Sequence, residues 1–184
     1  MKLILINGAP GVGKTTLAKK ISDVVPMSFL LDLDEQRKCI SHFEEHLQES
    51  RVLSFDIALA IAEACFKRGK SFVSGKGMYL DIIEGDRNKH VLDMFIDIGT
   101  KYQAEIFEIF LWADKETTLR RVNNRGFETK TRMNLEKAGE YWEQTQEFAK
   151  KRKDKYIIDT SFLTPDEVFI DAKKMLGGFG VGCE

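Results

Sequence analysis

Leu3-Ile4-Leu5-Ile6-Asn7-Gly8-Ala9-Pro10-Gly11-Val12-Gly13-Lys14-Thr15-Thr16 is the stretch that decides the fold of this 184-residue chain. An apolar run of strand character leads into G-x-x-x-x-G-K-[ST], the phosphate-binding P-loop, and then into a helix. Gly8, Gly11 and Gly13 tolerate backbone angles that side chains forbid, so successive N–H groups can turn toward one anion. The backbone of Gly8, Ala9, Pro10, Gly11, Val12, Gly13, Lys14, Thr15 and Thr16 is the expected cradle for a nucleoside triphosphate. The partial positive charge at the helix N-terminus adds to it. Lys14 is expected to reach the β- and γ-phosphates, and the Thr15 hydroxyl to hold Mg²⁺.

Bulk composition narrows the class. The length suits one domain with a sizeable core, expected over residues 1–176, with a Gly-rich, mobile tail at 177–184. A net charge of −1 gives no global basic field of the kind that advertises nucleic acid, although a short basic groove suffices for a strand end. Cys39, Cys65 and Cys183 are odd in number and lack C-x-x-C spacing, which points to reduced thiols in a cytoplasmic protein. No signal peptide and no apolar stretch of about 18 residues is present in the sequence.

Working outward, strand and helix signals alternate. The first helix is expected over about residues 13–25, with Leu17, Ile21, Val24 and Val25 on one face and Pro26 ending it. Phe29-Leu30-Leu31 reads as a short strand, followed by a polar helix over about 35–49 and an apolar one over 52–67. Ser71–Ser74 is the third strand, and 78–102 reads as one or two helices interrupted near Gly85. Ile106–Trp112 is the fourth strand. Asp114 is placed to cap the next helix, and a charged helix is expected over about 131–152. Tyr156–Asp159 is the fifth strand, and Thr164-Pro165 opens a last helix as N-cap and N1. Five strands separated by helices imply an α/β three-layer sandwich around a parallel sheet.

In such sheets the ligand crevice lies beyond the C-terminal strand ends. Asp32 and Asp34 follow the second strand, and positions two apart in a strand face the same way. Phosphoryl transfer to an alcohol needs a carboxylate to accept the hydroxyl proton and support for Mg²⁺. That assigns the base to Asp34 and a metal-shell role to Asp32, the alternative being two acids that cap the next helix. Arg37, three residues on, is placed to hold Asp34 or to bind a substrate phosphate. Arg121 and Arg125 are four apart and share a helix face, and Gly126 ends the helix. Arginines there, on a mobile lid of about residues 120–135, would neutralise charge on the γ-phosphate and exclude water. Arg132 lies inside that lid. His42 and His46 lie among glutamates and read as a solvated face, and Lys150-Lys151-Arg152-Lys153 as the wet end of a helix.

The P-loop, the D-x-D after strand two, R-x-x-x-R-G at Arg121–Gly126 and Ile158-Asp159-Thr160-Ser161 resemble the small P-loop kinases. These include shikimate kinase, gluconate kinase and the kinase domain of phage-type polynucleotide 5′-hydroxyl kinase. The resemblance implies a sheet order of 2-3-1-4-5 and places the turn at Thr160 near the adenine. Phe29–Arg37 is similar to the polynucleotide kinase pattern, which implies Asp34 as general base and Arg37 as a substrate-phosphate contact. The shikimate kinase pattern implies Asp32 in the magnesium water shell and Asp34 on the substrate hydroxyl. Two departures stand out. Gly75 occupies the position where polynucleotide kinases carry an acid, and Lys76 interrupts the shikimate kinase glycine triplet at Gly75-Lys76-Gly77. Lys76 is either a contact for an anionic substrate or a surface lysine.

Two function classes follow. One is a kinase that moves the γ-phosphoryl of ATP to a hydroxyl, using Lys14, Asp34, Arg121 and Arg125 with Mg²⁺ at Thr15 and Asp32. The other is a P-loop NTPase, a switch or energy-coupling protein with no acceptor. The sequence has no N-K-x-D base-reading motif, and its compact size and arginine-bearing lid favour the kinase. Small molecules, nucleotides and a nucleic-acid 5′ end all remain open as acceptor.

Overall fold

The computed structural model describes residues 1–76, 81–84, 87–125, 134–152 and 155–177, with the backbone alone at 81–84, 87–90 and 125. The expected lid centre, with Gly126 and Arg132, lies outside these residues, as do Gly77 and the tail from 178. The elements in chain order are β1 (Lys2–Asn7), α1 (Lys14–Val24), β2 (Phe29–Leu31), α2 (Leu33–Arg37), α3 (Leu47–Lys67), β3 (Phe72–Ser74), β4 (Asp81–Glu84), β5 (Arg87–His90), α4 (Val91–Lys101), β6 (Glu105–Trp112), α5 (Lys115–Arg125), α6 (Leu135–Lys151), β7 (Tyr156–Asp159) and α7 (Pro165–Met175).

The parallel sheet runs β2-β3-β1-β6-β7, which is the expected 2-3-1-4-5 order once the sheet strands are counted alone. β1 lies at its centre, in register with β6 from Lys2↔Glu105 to Asn7↔Phe110. Leu3, Ile4, Leu5 and Ile6 are fully buried, as a strand covered on both faces requires. Alternation then sorts the core. Ile4, Ile6, Ile109 and Leu111 pack with Leu17 and Ile21 of α1 and Ala172 of α7. Leu3, Leu5 and Phe72 pack with Phe55 and Ala62 of α3 and Phe95 of α4. Phe72 and Phe95 stack at 5.5 Å between ring centroids.

Local signals account for most element ends. Asp114 Oδ1 accepts from the Thr117 N–H at 2.7 Å, capping α5. Thr164 and Glu167 form a reciprocal capping box at the start of α7, with Pro165 in the first turn. Among the described residues no helix is long and apolar enough to cross a membrane.

Three expectations need correction. The helix over 35–49 is instead the five-residue α2, then turns, then α3, whose N-cap is His46. Ile40 and Phe43 are the only large apolar side chains of 38–46 and are no more than half-buried, and His42 breaks the run with a left-handed φ of 54°. His42 and His46 therefore share no helix face. Within the stretch read as helical, residues 81–84 and 87–90 pair as an antiparallel ribbon, Asp81↔His90 to Glu84↔Arg87, and helix starts only at Val91 of α4. The missed signal is the β-branched pair Ile82-Ile83 beside Gly85-Asp86, a hairpin composition. The charged helix begins at Leu135, capped by the Asn134 side chain.

Candidate active site

The P-loop folds as its glycines dictate. Gly8 has φ 138°, and a Cβ there would lie 2.3 Å from the Leu111 carbonyl oxygen, so the loop's first residue can rest directly on the β6 backbone. Gly13, at φ 97°, is the N-cap of α1, and no heavy atom lies within 4 Å of where its Cβ would sit. That open side, with no acidic residue in the first turn of α1, suits an anion at the helix N-terminus. Lys14 Nζ donates to the Ala9 carbonyl at 2.7 Å, arching back over the loop. Thr15 and Thr16 are exposed beside it.

On the β7 side the loop is tied down from behind. Thr160 is buried, and its hydroxyl lies 3.0 Å from the Trp112 carbonyl and 3.3 Å from that of Val12. The Arg121 guanidinium donates to Thr160 Oγ1 at 3.1 Å and to the Thr160 carbonyl at 2.7 Å. Arg121 is thus committed to the turn after β7, at the sheet edge opposite Asp34. Four strand spacings of about 4.8 Å separate those edges, on the order of 19 Å. Arg125 is the last residue of α5, and its side chain lies outside the description.

On the β2–β3 side a small cleft, open to solvent, is lined by Thr15, Lys19, Asp32, Asp34, Gly75 and Lys76 among others. Asp32 and Asp34 meet there by a route other than strand alternation. Asp32 is the N-cap of α2, its Oδ1 accepting from the Asp34 and Glu35 N–H groups at 3.1 and 3.2 Å, while Asp34 lies in the first helical turn. Lys76 Nζ donates to Asp34 Oδ1 at 2.5 Å, and Arg37 Nη1 stands 3.9 Å from the same oxygen. Burial alone would raise the Asp34 carboxyl, but Lys76, Arg37 and Lys14 together hold it below its ordinary value. Burial lowers the Arg37 guanidinium from its usual value, Asp34 opposing this and Arg51 adding to it. Arg37 Nε is buried and has no hydrogen-bond partner among the described residues. Gln36 Nε2 donates to the Ser54 carbonyl at 3.2 Å, anchoring α2 on α3.

Gly75 explains the absent acid. A Cβ there would lie 2.9 Å from both Ala18 Cβ and the Lys14 carbonyl oxygen, so β3 ends in direct contact with the α1 backbone. The sequence reading missed Lys19, although its four-residue spacing from Thr15 puts both on one face of α1. It also misread Arg152. That residue bonds Asp93 at 2.6 Å and Glu108 at 3.0 Å, tying the end of α6 to α4 and β6. The signal was Glu108, an acid set within the apolar run Ile106–Trp112. Burial raises its carboxyl even with Arg152 beside it.

The residues present fit ATP and magnesium. The Thr15 hydroxyl and Asp32 face the same cleft, and the open loop beside Gly13 leaves room for phosphate. Among the described residues no cluster of three His, Cys, Asp or Glu side chains could hold a metal ion. Mg²⁺ bound through substrate phosphates and one or two protein oxygens needs no such cluster.

The sequence pattern of the AAA domain matches residues 4–155, and the chain belongs to that family. No curated protein matches the chain. Solved structures similar to it include a gluconokinase from Sinorhizobium meliloti, at 15% identity, 96% of this chain and 91% of that one covered, and TM-score 0.65. A deoxyadenosine kinase from M. mycoides with dCMP and dCDP bound shares 16% identity over 96% of this chain and 98% of that one, at TM-score 0.57. The tunicamycin resistance protein of Deinococcus radiodurans shares 17% identity over 97% of each chain, at TM-score 0.58. This chain shares its fold with these solved kinases.

Proposed function

We propose that this chain is a cytoplasmic, ATP-dependent kinase that transfers the γ-phosphoryl group to a hydroxyl. The observation that carries the reading is the cleft in which Thr15, at the head of the P-loop helix, shares a wall with Asp34. It brings a phosphate cradle and a candidate base into one solvent-open space. A switch that only hydrolyses its nucleotide has no need of such an acceptor cleft.

In this reading the backbone of Gly8–Thr16 and the Lys14 ammonium grip the phosphates, Lys14 leaving the Ala9 carbonyl to do so. Magnesium, held by Thr15 and Asp32 when bound, would neutralise the phosphate oxygens as charge develops. Asp34 accepts the acceptor's hydroxyl proton as the oxygen attacks. The new O–P bond forms, and the bond from the γ-phosphorus to the bridging oxygen breaks, its electron pair leaving on ADP. Arg121, with the Thr160 turn, belongs to the nucleoside end, supported by its bonds to Thr160. Arg125, one helical turn on, serves the γ-phosphate. Arg37 and Lys76 contact the acceptor. Free Cys39 and Cys65 go with a reducing compartment.

The deciding experiment measures ADP release with Mg²⁺-ATP over nucleosides, nucleotides, 5′-hydroxyl oligonucleotides, shikimate, gluconate and other sugar acids. Lys14→Ala supplies the blank. Acceleration by one class establishes the kinase. Slow ADP release that no acceptor accelerates returns the choice to the NTPase.

A further inference from the structure

The apolar surface of α3 does not stop at the core. Its inward face, with Phe55, Ala58, Leu59, Ala62 and Phe66, is buried. The opposite face carries Glu49, Leu53, Ile57, Ala60, Ala64 and Arg68, spaced by three or four, and all six are exposed. From Leu53 to Ala64 five positions are exposed, and of these only Asp56 is charged. The outer face of α6 is the contrast, presenting Glu136, Lys137, Glu140, Glu143 and Glu147 to water. A helix that is apolar on both sides belongs in a place where both sides are covered. α3 is not apolar enough to cross a membrane, so the cover is protein.

The order of side chains along the stripe selects which protein. It runs acid, large, large, small, small, base. When a second α3 is laid antiparallel about the point midway between Ile57 and Ala60, each member meets its complement in the other copy. Glu49 faces Arg68, Leu53 faces Ala64, and Ile57 faces Ala60. Two-fold symmetry makes every one of these contacts twice. Large against small lets the helix axes approach to about 8 Å, the near end of helix packing. Parallel pairing instead sets Glu49 on Glu49 and Arg68 on Arg68, and leaves alanine facing alanine across a gap. Glu49 to Arg68 spans roughly 28 Å at about 1.5 Å per residue, close to the width of a small domain. Asp56 stands at the rim with Lys67, which lies 3.6 Å from Glu63, and rim charges stay hydrated.

We propose that this face of α3 binds the same face of a second copy of the chain, in an antiparallel two-fold pair registered by Glu49 and Arg68. Pairing buries the stripe that a monomer leaves in water. None of the six residues lines the cleft, so the inference stands apart from the kinase reading.

Sedimentation equilibrium of the full chain tests it. The wild type is expected at twice 21.1 kDa, the dimer fraction rising with concentration. Ile57→Glu and, separately, Ala60→Arg are each expected to weaken association roughly thirtyfold or more, as loss of a central anchor does. Both positions are exposed in the monomer, and Ala60→Arg keeps a strong helix former, so circular dichroism should be unchanged. Glu49→Arg alone and Arg68→Glu alone are each expected to weaken association about fivefold, and the two together to restore it. A wild type still monomeric at roughly 100 μM, above the micromolar end of ordinary interfaces, overturns the inference. So does a dimer that Ile57→Glu and Ala60→Arg both leave intact, which would be held elsewhere, for example at the exposed Ile157 and Phe162. A double reversal no tighter than either single one overturns the antiparallel register that the proposal states.

Discussion

The two sides of the candidate site are made of different material. At the nucleotide end, contacts run through backbone: Gly8 on the Leu111 carbonyl, Thr160 between Val12 and Trp112, Arg121 on the Thr160 carbonyl. Gly8 follows the six-residue β1, Trp112 ends the eight-residue β6, and Thr160 is buried beside it. At the acceptor end, α2 has five residues, β2 and β3 have three each, and the chemistry rests on side-chain charges at Asp34, Lys76 and Arg37. A backbone cradle suits a ligand part that is always the same, a triphosphate. Charged side chains on short elements can be exchanged without disturbing the sheet, which suits the part that distinguishes one kinase from another.

Substitutions that act on one end only sharpen this contrast, and any that act on both break it. Lys14→Ala is expected to cost most, roughly a thousandfold in ADP release, a loss on the scale of about 4 kcal/mol of transition-state stabilisation. Asp34→Asn is expected to lower kcat by roughly a hundredfold, at the lower end of what a general base contributes. Its ATP affinity by calorimetry should stay within about twofold, and loss of ATP binding in this variant would merge the two ends. Gly8→Ala forces a Cβ against the Leu111 carbonyl, an overpacking cost of about 1–3 kcal/mol. That is a fall in Tm of roughly 3–10 °C by thermal denaturation for a chain of this size. Thr160→Val removes one tethering hydroxyl, worth about 1 kcal/mol. ATP binding should weaken about fivefold while the acceptor KM stays unchanged.

The smallest effect is on stability at low pH. The Asp34 carboxyl sits below its ordinary 3.8 in the fold. Its contribution is therefore present above pH 3.8 and lost as pH falls through the folded value. The side chain is 53% exposed, so solvent screening keeps this small. The urea midpoint of the wild type is expected to drop slightly more than that of Asp34→Asn between pH 5 and 3.

What was legible in the sequence follows the same division. The P-loop and the buried strands could be read because each is fixed by a local pattern, glycines at required φ angles or apolar runs, whereas the sheet order came from the resemblance to the small P-loop kinases. Asp34 was legible by position, although the reason given, strand alternation past Leu31, was not the operative one. Asp32 ends the strand by capping α2, and the two acids meet across a helix start. The ribbon β4–β5 was overlooked although Ile82-Ile83 pointed to it, because its strands have four residues each and Arg87–His90 carries no apolar residue. The Lys76–Asp34 contact spans 42 positions and the Arg152–Glu108 contact 44, and no local pattern encodes either. Both arise only when the sheet brings distant strand ends side by side.

The close approach at Gly75 has a consequence for ancestry and redesign. An acid at this position cannot be acquired in one step, because its first side-chain atom meets Ala18 and the Lys14 carbonyl together. Shrinking Ala18 to glycine would relieve only the side-chain half of that collision and leave the carbonyl in place. With β3 drawn against α1 in this way, position 75 stays closed to an acid unless the α1 backbone shifts. Any later change of substrate must be negotiated at neighbouring positions such as Lys76.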